Sequence, residues 1–281
     1  MAQLSWQPMD LPSRGVLYLD PTTGESLLPS GKVELRKMTA QEESILLSQG
    51  SQGLDRIAKI VTNCVRVPTL AQNEQPPLVP DDFLLTDRMA LLLALRALTF
   101  QTTHYTFTFR CQFCNQTAKA TEDLADLPER NPETIAYAML EAGKIDALAD
   151  FTLAEPITVS LPDAGQDVDV RFLRGHDEAK IAKRSKRTRM ASNDMGDQSY
   201  IYRLALQIVA VDGDSEWPSA KKEAFVRQLS GGDTARMRIA VDDVEPGLDM
   251  TVYPSCTACG ADNELSLPFT AEFFRPTSLQ S

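Results

Sequence analysis

The period of the apolar positions changes several times along the chain, and each change marks an element. Val33 and Leu35 alternate with Glu34 and Arg36, as in a short strand with one buried face. Thr39 stands three residues before Glu42, a capping-box spacing that predicts a helix over 40–47. After a turn at Gly50 to Gly53, Ile57, Ile60, Val61, Cys64 and Val65 keep helical spacing, so Cys64 reads as a buried thiol in a helix over 54–65. A loop with Pro68, Pro76, Pro77 and Pro80 precedes a helix through Leu98 that is apolar almost all round, with Thr86 or Asp87 as its cap. Tyr105 to Phe109 alternates strictly and runs straight into Cys111-Gln112-Phe113-Cys114, with a return strand over 117–121. The pattern therefore predicts a hairpin with C-x-x-C at its tip. An alanine-rich helix is expected over 132–148.

The same order then begins again. A hairpin is expected from 157–161 and 168–172, with helices over 177–186, 198–209, 219–229 and 233–241. A strand over 250–253, the knuckle Cys256-Thr257-Ala258-Cys259 and a return strand over 264–267 close the series. Val168-Asp169-Val170-Arg171 stands before its helix as Val33-Glu34-Leu35-Arg36 stands before its own, and Thr251-Val252-Tyr253 precedes its knuckle as Phe107-Thr108-Phe109 does. We therefore expect an α+β fold of two pseudo-repeated halves, 32–150 with the knuckle 111–114 and 151–281 with the knuckle 256–259. Residues 1–31, rich in Pro, Gly and Ser, read as an extended N-terminal arm that lies across a partner and can be removed without unfolding the core.

The cysteines carry the one chemical constellation. Thiols stay reduced in a cytosolic chain, so four of five cysteines in two C-x-x-C pairs point to metal rather than disulfides. Structural zinc takes four tetrahedral ligands, and Cys111, Cys114, Cys256 and Cys259 can supply them. Familiar zinc ribbons set the pairs about 15–20 residues apart. Here the pairs are far more distant, so tertiary structure must bring them together. Two readings stand beside one shared Zn2+ per chain: separate pairs that lack metal or share it with partner chains, and a redox dithiol. The redox reading expects C-x-x-C at a helix start, whereas these pairs sit between strands. His104 is a possible replacement for one thiolate.

Composition narrows the function. The 281 residues carry a net charge of −11, which opposes nucleic-acid binding through phosphates. A scarcity of exposed aromatics near the knuckles argues the same way. One basic cluster, Lys180, Lys183, Arg184, Lys186, Arg187 and Arg189, reads as a solvated helix face or a docking patch. The apolar run near Met89 to Leu98 is short of the ~20 residues a bilayer span needs. The start of the chain lacks the blocks of a signal peptide, so we expect it to act in the cytoplasm. There are two histidines and no glycine-rich phosphate loop, hence no catalytic constellation and no small-molecule substrate.

Several short pieces in order carry a family resemblance. They are Leu11-Pro12-Ser13-Arg14-Gly15 with Tyr18, Met38-Thr39-Ala40-Gln41-Glu42-Glu43, Thr86-Asp87-Arg88, Phe107 to Cys114, and Asp123-Leu124. Together they resemble the baseplate proteins, hub-type components among them, of contractile-tailed bacteriophages of the T-even type. The resemblance implies a non-enzymatic assembly subunit that binds other tail and baseplate proteins, first in the host cytoplasm and then in the virion. The alternative is a zinc-ribbon accessory protein that binds nucleic acid.

Overall fold

The computed structural model describes residues 5–47, 53–68, 78–191, 198–268 and 271–274. The expected turn at Gly50 and the prolines Pro76 and Pro77 lie outside them. The fold is α+β, with eight helices and several small antiparallel sheets among the described residues.

Strand β1 (Gln7–Asp10) pairs with β2 (Lys32–Leu35), and helices α1 (Ala40–Leu47) and α2 (Gly53–Cys64) lead to β3 (Val65–Arg66) on the other side of β2. Arg36 ties this unit together. Its guanidinium binds both oxygens of Glu42, at 2.9 and 3.3 Å, and the Lys37 carbonyl at 3.0 Å. Glu42 in turn accepts the Thr39 N–H at 2.8 Å, half of the expected capping box. The long helix α3 (Leu85–Phe100) follows, then the hairpin β4 (His104–Arg110) and β5 (Thr117–Asp123), then β6 (Glu129–Arg130) and α4 (Pro132–Glu141). Helix α4 ends well before the expected Leu148, because the chain turns into the left-handed region at Gly143 (φ 65°).

Strands β7 (Ile157–Leu161) and β8 (Gln166–Val170) form the next hairpin, followed by α5 (Gly175–Ala191) and α6 (Gln198–Gln207). Ile208 and Val209, read from sequence as the end of that helix, instead open strand β9 (Ile208–Val211), paired with β8. The sheet order β7-β8-β9 matches β1-β2-β3. Arg171, just after β8, binds both oxygens of Asp177 at 2.7 and 3.0 Å and the Phe172 carbonyl at 2.9 Å. Asp177 accepts the Arg174 N–H at 3.1 Å, as Glu42 accepts that of Thr39. The Arg36 and Arg171 amides each donate to the residue just before the third strand, Cys64 and Gln207. Helices α7 (Ser219–Gln228) and α8 (Gly231–Val244), strand β10 (Gly247–Leu248), the hairpin β11 (Thr251–Val252) and β12 (Leu265–Ser266), and a 3-10 turn at Ala271–Phe274 follow.

The segment read as an extended N-terminal arm is packed into the body. Leu11, Ser13, Leu17, Tyr18 and Leu28 are all buried. Asp87 is not the helix cap; it is fully buried and accepts from the Ser13 N–H (3.0 Å), the Ser13 hydroxyl (2.5 Å) and the Tyr18 hydroxyl (2.5 Å). Removing residues 1–30 would strip these donors from a buried carboxylate, so an intact core without them is not expected. Residues 83–85 pair with 173–175 through Leu85 N–H to Leu173 O and Gly175 N–H to Phe83 O. One contiguous apolar core therefore runs through the whole molecule. No described helix is long and apolar enough to cross a membrane.

Candidate metal centre

The first knuckle stands on an aromatic ladder. Along β4, Tyr105, Phe107 and Phe109 face inward, with successive ring centroids 5.7 and 6.3 Å apart, while their neighbours face solvent. This buried face holds the hairpin rigid up to Cys111. There the chain closes a tight turn: Cys111 N–H donates to Gln116 O, Asn115 N–H donates to Cys111 O, and Asn115 takes positive φ (62°). The second knuckle repeats each contact. Cys256 N–H donates to Ala261 O, Gly260 N–H donates to Cys256 O, and Gly260 supplies positive φ (72°).

The two turns meet. Cys111, Cys114, Cys256 and Cys259 place their Sγ atoms within 4.8 Å of one another. Cys111 Sγ lies 3.7 Å from Cys259 Sγ, and Cys114 Sγ 3.7 Å from Cys256 Sγ. A tetrahedron with metal–sulfur bonds of ~2.3 Å has edges of about 3.8 Å, so the sulfurs are already spaced to hold a metal ion. Cys111 and Cys256 are buried, Cys114 is half-buried and Cys259 is exposed. Backbone N–H groups of Cys114 and Phe113 pull the Cys111 thiol down to about 6. Cys259 accepts from the Ala261 amide, yet the three neighbouring sulfurs push it up to about 12. A cation among them would remove that mutual repulsion, which is the electrostatic demand of a thiolate site.

A brace missed in the sequence links the knuckles. Asn263 is fully buried; its Oδ1 accepts the Gln112 N–H at 2.8 Å, and its Nδ2 donates to Ala261 O at 2.9 Å. Gln112 Nε2 donates to Glu264 O at 3.0 Å, a second tie between the turns. The only hint in the sequence was an asparagine soon after the second pair, where a polar loop reads equally well.

The other candidates fall elsewhere. His104 is exposed at the far end of β4, roughly 20 Å from Cys111 along the strand, and lies beside Asp123. It cannot replace a thiolate. Cys64 is buried beside Arg36 and Glu42, and burial pushes its thiol up to about 11. Of the basic cluster on α5, Lys180 pairs with Asp177 and Arg184 with Glu223. The side chains of Lys186, Arg187 and Arg189 lie outside the described residues. The expected scarcity of exposed aromatics near the knuckles does not hold, because Phe113 and Tyr253 are 69% and 65% exposed.

Comparison with known proteins finds a family match. The family model described as T4 bacteriophage base plate protein matches residues 21–275, so the chain belongs to that family. No curated protein and no solved structure matches.

Proposed function

We propose that this member of the T4 bacteriophage base plate family is a non-enzymatic assembly subunit whose two halves are clasped by one structural Zn2+. Cys111, Cys114, Cys256 and Cys259 would hold the ion. Membership of the family makes it a structural component of a phage baseplate that contacts other phage structural proteins. The convergence of four sulfurs from two distant hairpins carries the metal reading. An all-thiolate tetrahedral set selects zinc or iron–sulfur chemistry over hard cations, and four protein ligands leave no open position for a substrate or water. Bound zinc contributes on the order of 10 kcal/mol in small zinc peptides, ample to fix the angle between two lobes.

The halves, 32–150 and 151–281, are read as copies of one ancestral unit, with β1 (Gln7–Asp10) of the preceding segment completing the sheet of the first. The matching sheet orders, the paired Arg36–Glu42 and Arg171–Asp177 clasps and the two like knuckles support this. The protein would work in the host cytoplasm during assembly and remain in the virion baseplate.

Metal analysis of the purified full chain tests the centre. One zinc per chain is expected, lost in Cys256→Ser. Iron with visible colour, two zinc ions per chain, or zinc retained in the variant would overturn it. The exposed Phe113 and Tyr253 keep nucleic acid as a second reading. Salt-sensitive retention on DNA would favour it over assembly.

A further inference from the structure

The two halves meet along a short backbone edge. Leu85 N–H donates to Leu173 O at 3.0 Å and Gly175 N–H to Phe83 O at 2.9 Å, so the start of α3 pairs with the start of α5. The repeat supplies a counterpart for each side. Arg36 matches Arg171 in its clasp, which sets Met38, Thr39 and Ala40 against Leu173, Arg174 and Gly175. Leu11-Pro12-Ser13-Arg14-Gly15 matches Leu161-Pro162-Asp163-Ala164-Gly165. The buried Asp233 accepts the Ala164 N–H at 2.9 Å, much as the buried Asp87 accepts that of Ser13. Asp233 therefore matches Asp87, and Leu229, Ser230 and Gly231 match Phe83, Leu84 and Leu85. Backbone geometry agrees. Phe83 and Leu84 have φ/ψ of −66°/147° and −53°/146°; Leu229 and Ser230 have −64°/144° and −63°/157°.

We propose that Leu229–Gly231 of one copy pairs with Met38–Ala40 of a second copy, repeating between chains the contact that joins the halves within one. This rests on reading the halves as copies of one unit. Within a chain the two segments do not bond each other. The Leu229 and Met38 carbonyls and the Gly231 and Ala40 N–H groups have no hydrogen-bond partner among the described residues. Both sides are open. Ala40, Gln41, Glu43 and Ser44 are exposed on α1, and Arg227, Gly231 and Gly232 are exposed around the start of α8. Helix α1 packs chiefly on α2, whereas its counterpart α5 also packs on α3 and the 3-10 turn Pro80–Asp82.

The matched side chains change in step. Inside the chain, a Cβ on Gly175 would stand 1.6 Å from Arg88 Nη1, so the large arginine needs a glycine opposite. Between chains, Thr234 takes the place of Arg88 and Ala40 that of Gly175, so the side chain that shrinks faces the one that grows. Arg88 is also the cation between two carboxylates, 2.9 Å from Asp81 and 3.7 Å from Glu178. With a threonine there, two carboxylates would be left to repel. Instead Arg227 takes the place of Asp81 and Glu43 that of Glu178, so the pair attracts without a bridge. The net charge of −11 on each copy opposes unspecific self-association, and the local match is what selects this contact. Its two sides differ, so copies add head to tail until a ring closes.

The test is sedimentation velocity of the full-length, zinc-loaded protein from micromolar to millimolar concentration. The parent should associate reversibly. Gly231→Pro and Ala40→Pro each remove one pairing N–H at a first helical position, where proline fits, and a Cβ on Gly231 meets nothing within 4 Å. Either variant alone should stay monomeric well above the parent's midpoint. Mixed, they should form dimers and nothing larger, because each keeps the edge that the other lacks. Glu43→Lys should weaken association several-fold, and Arg227→Glu in the same chain should restore it. A parent that stays monomeric throughout, proline variants that associate like the parent, or a mixture that stays monomeric would overturn the proposal. Urea midpoints of Arg36→Gln and Arg171→Gln judge the repeat on its own: matched losses beside a monomeric parent fault the contact alone.

Discussion

Asn263 is where the geometry of the metal centre can be tested without touching a sulfur. Asn263→Ala removes the Oδ1 that holds the Gln112 N–H and the Nδ2 that reaches Ala261 O and Pro254 O. Both carbonyls keep a second donor, Cys256 N–H for Ala261 and the Asn263 amide itself for Pro254. The Gln112 amide is the group left stranded, and it is part-buried, so water meets some of its need. One stranded amide plus one lost bond between the turns amounts to about 2 kcal/mol. At 1.4 kcal/mol per decade this is roughly a 30-fold weaker hold on zinc. Competition against a chromogenic chelator at fixed pH measures it. Asn263→Asp should do worse, because it turns an oxygen toward two carbonyls and adds a negative charge beside four thiolates. An Asn263→Ala protein with unchanged circular dichroism and zinc affinity within about threefold of the parent would refute the brace.

Three further outcomes follow from buried polar groups. Tyr18→Phe keeps the ring but removes the bond to Asp87 and the acceptor of the Leu84 N–H; a loss of about 2 kcal/mol should appear as a lower urea midpoint with unchanged slope. Burial alone would raise Glu42, but Arg36 and Thr39 outweigh it and bring the carboxyl down to about 2. Glu42 therefore adds stability above the ordinary glutamate value of about 4.3, and this fades as pH falls through about 2. Glu42→Gln should be clearly less stable at pH 7, with the gap narrowing in acid. Glu245 runs the other way: burial, then Asp242, push it up to about 7 against Arg203 and Arg130. Its contribution is complete below about pH 4.3 and is lost as pH rises through about 7. Chemical denaturation should find Glu245→Gln level with the parent at pH 4 and more stable at pH 8.

Features fixed by short-range pattern were legible in the sequence. The alternation from His104 to Arg110, the C-x-x-C after it and the Thr39–Glu42 spacing each act within a few residues, so the hairpin and the start of α1 could be read directly. Strand β9 could not, because Ile208 to Val211 continues the apolar run of α6, and a short apolar run fits either element until β8 lies beside it. Strand β1 was hidden by Pro8, tolerable there because β1 is an edge strand. Asp87 stood where a cap belongs, yet its partners Ser13 and Tyr18 lie about seventy residues upstream. The segment 11–31 looked like an arm because its turns are rich in glycine and proline. Its glycines serve close approach: Gly15 and Gly31 each take positive φ, and a Cβ on Gly15 would stand 2.3 Å from Leu28 O. Local composition could not reveal that their neighbour was the core.

Arg96 sits in the interior without a carboxylate. It donates instead to the carbonyls of Thr102, His104 and Phe273, and its guanidinium lies over the rings of Tyr105 and Phe273. Phe273 is thus both lid and ligand for a cation held in the first half of the chain. A nascent polypeptide still threaded through the ribosome cannot supply it, so the early-made helix α3 waits, its arginine uncovered, until residues 271–274 emerge. The packing around Arg96 is therefore completed only when residues 271–274 are in place.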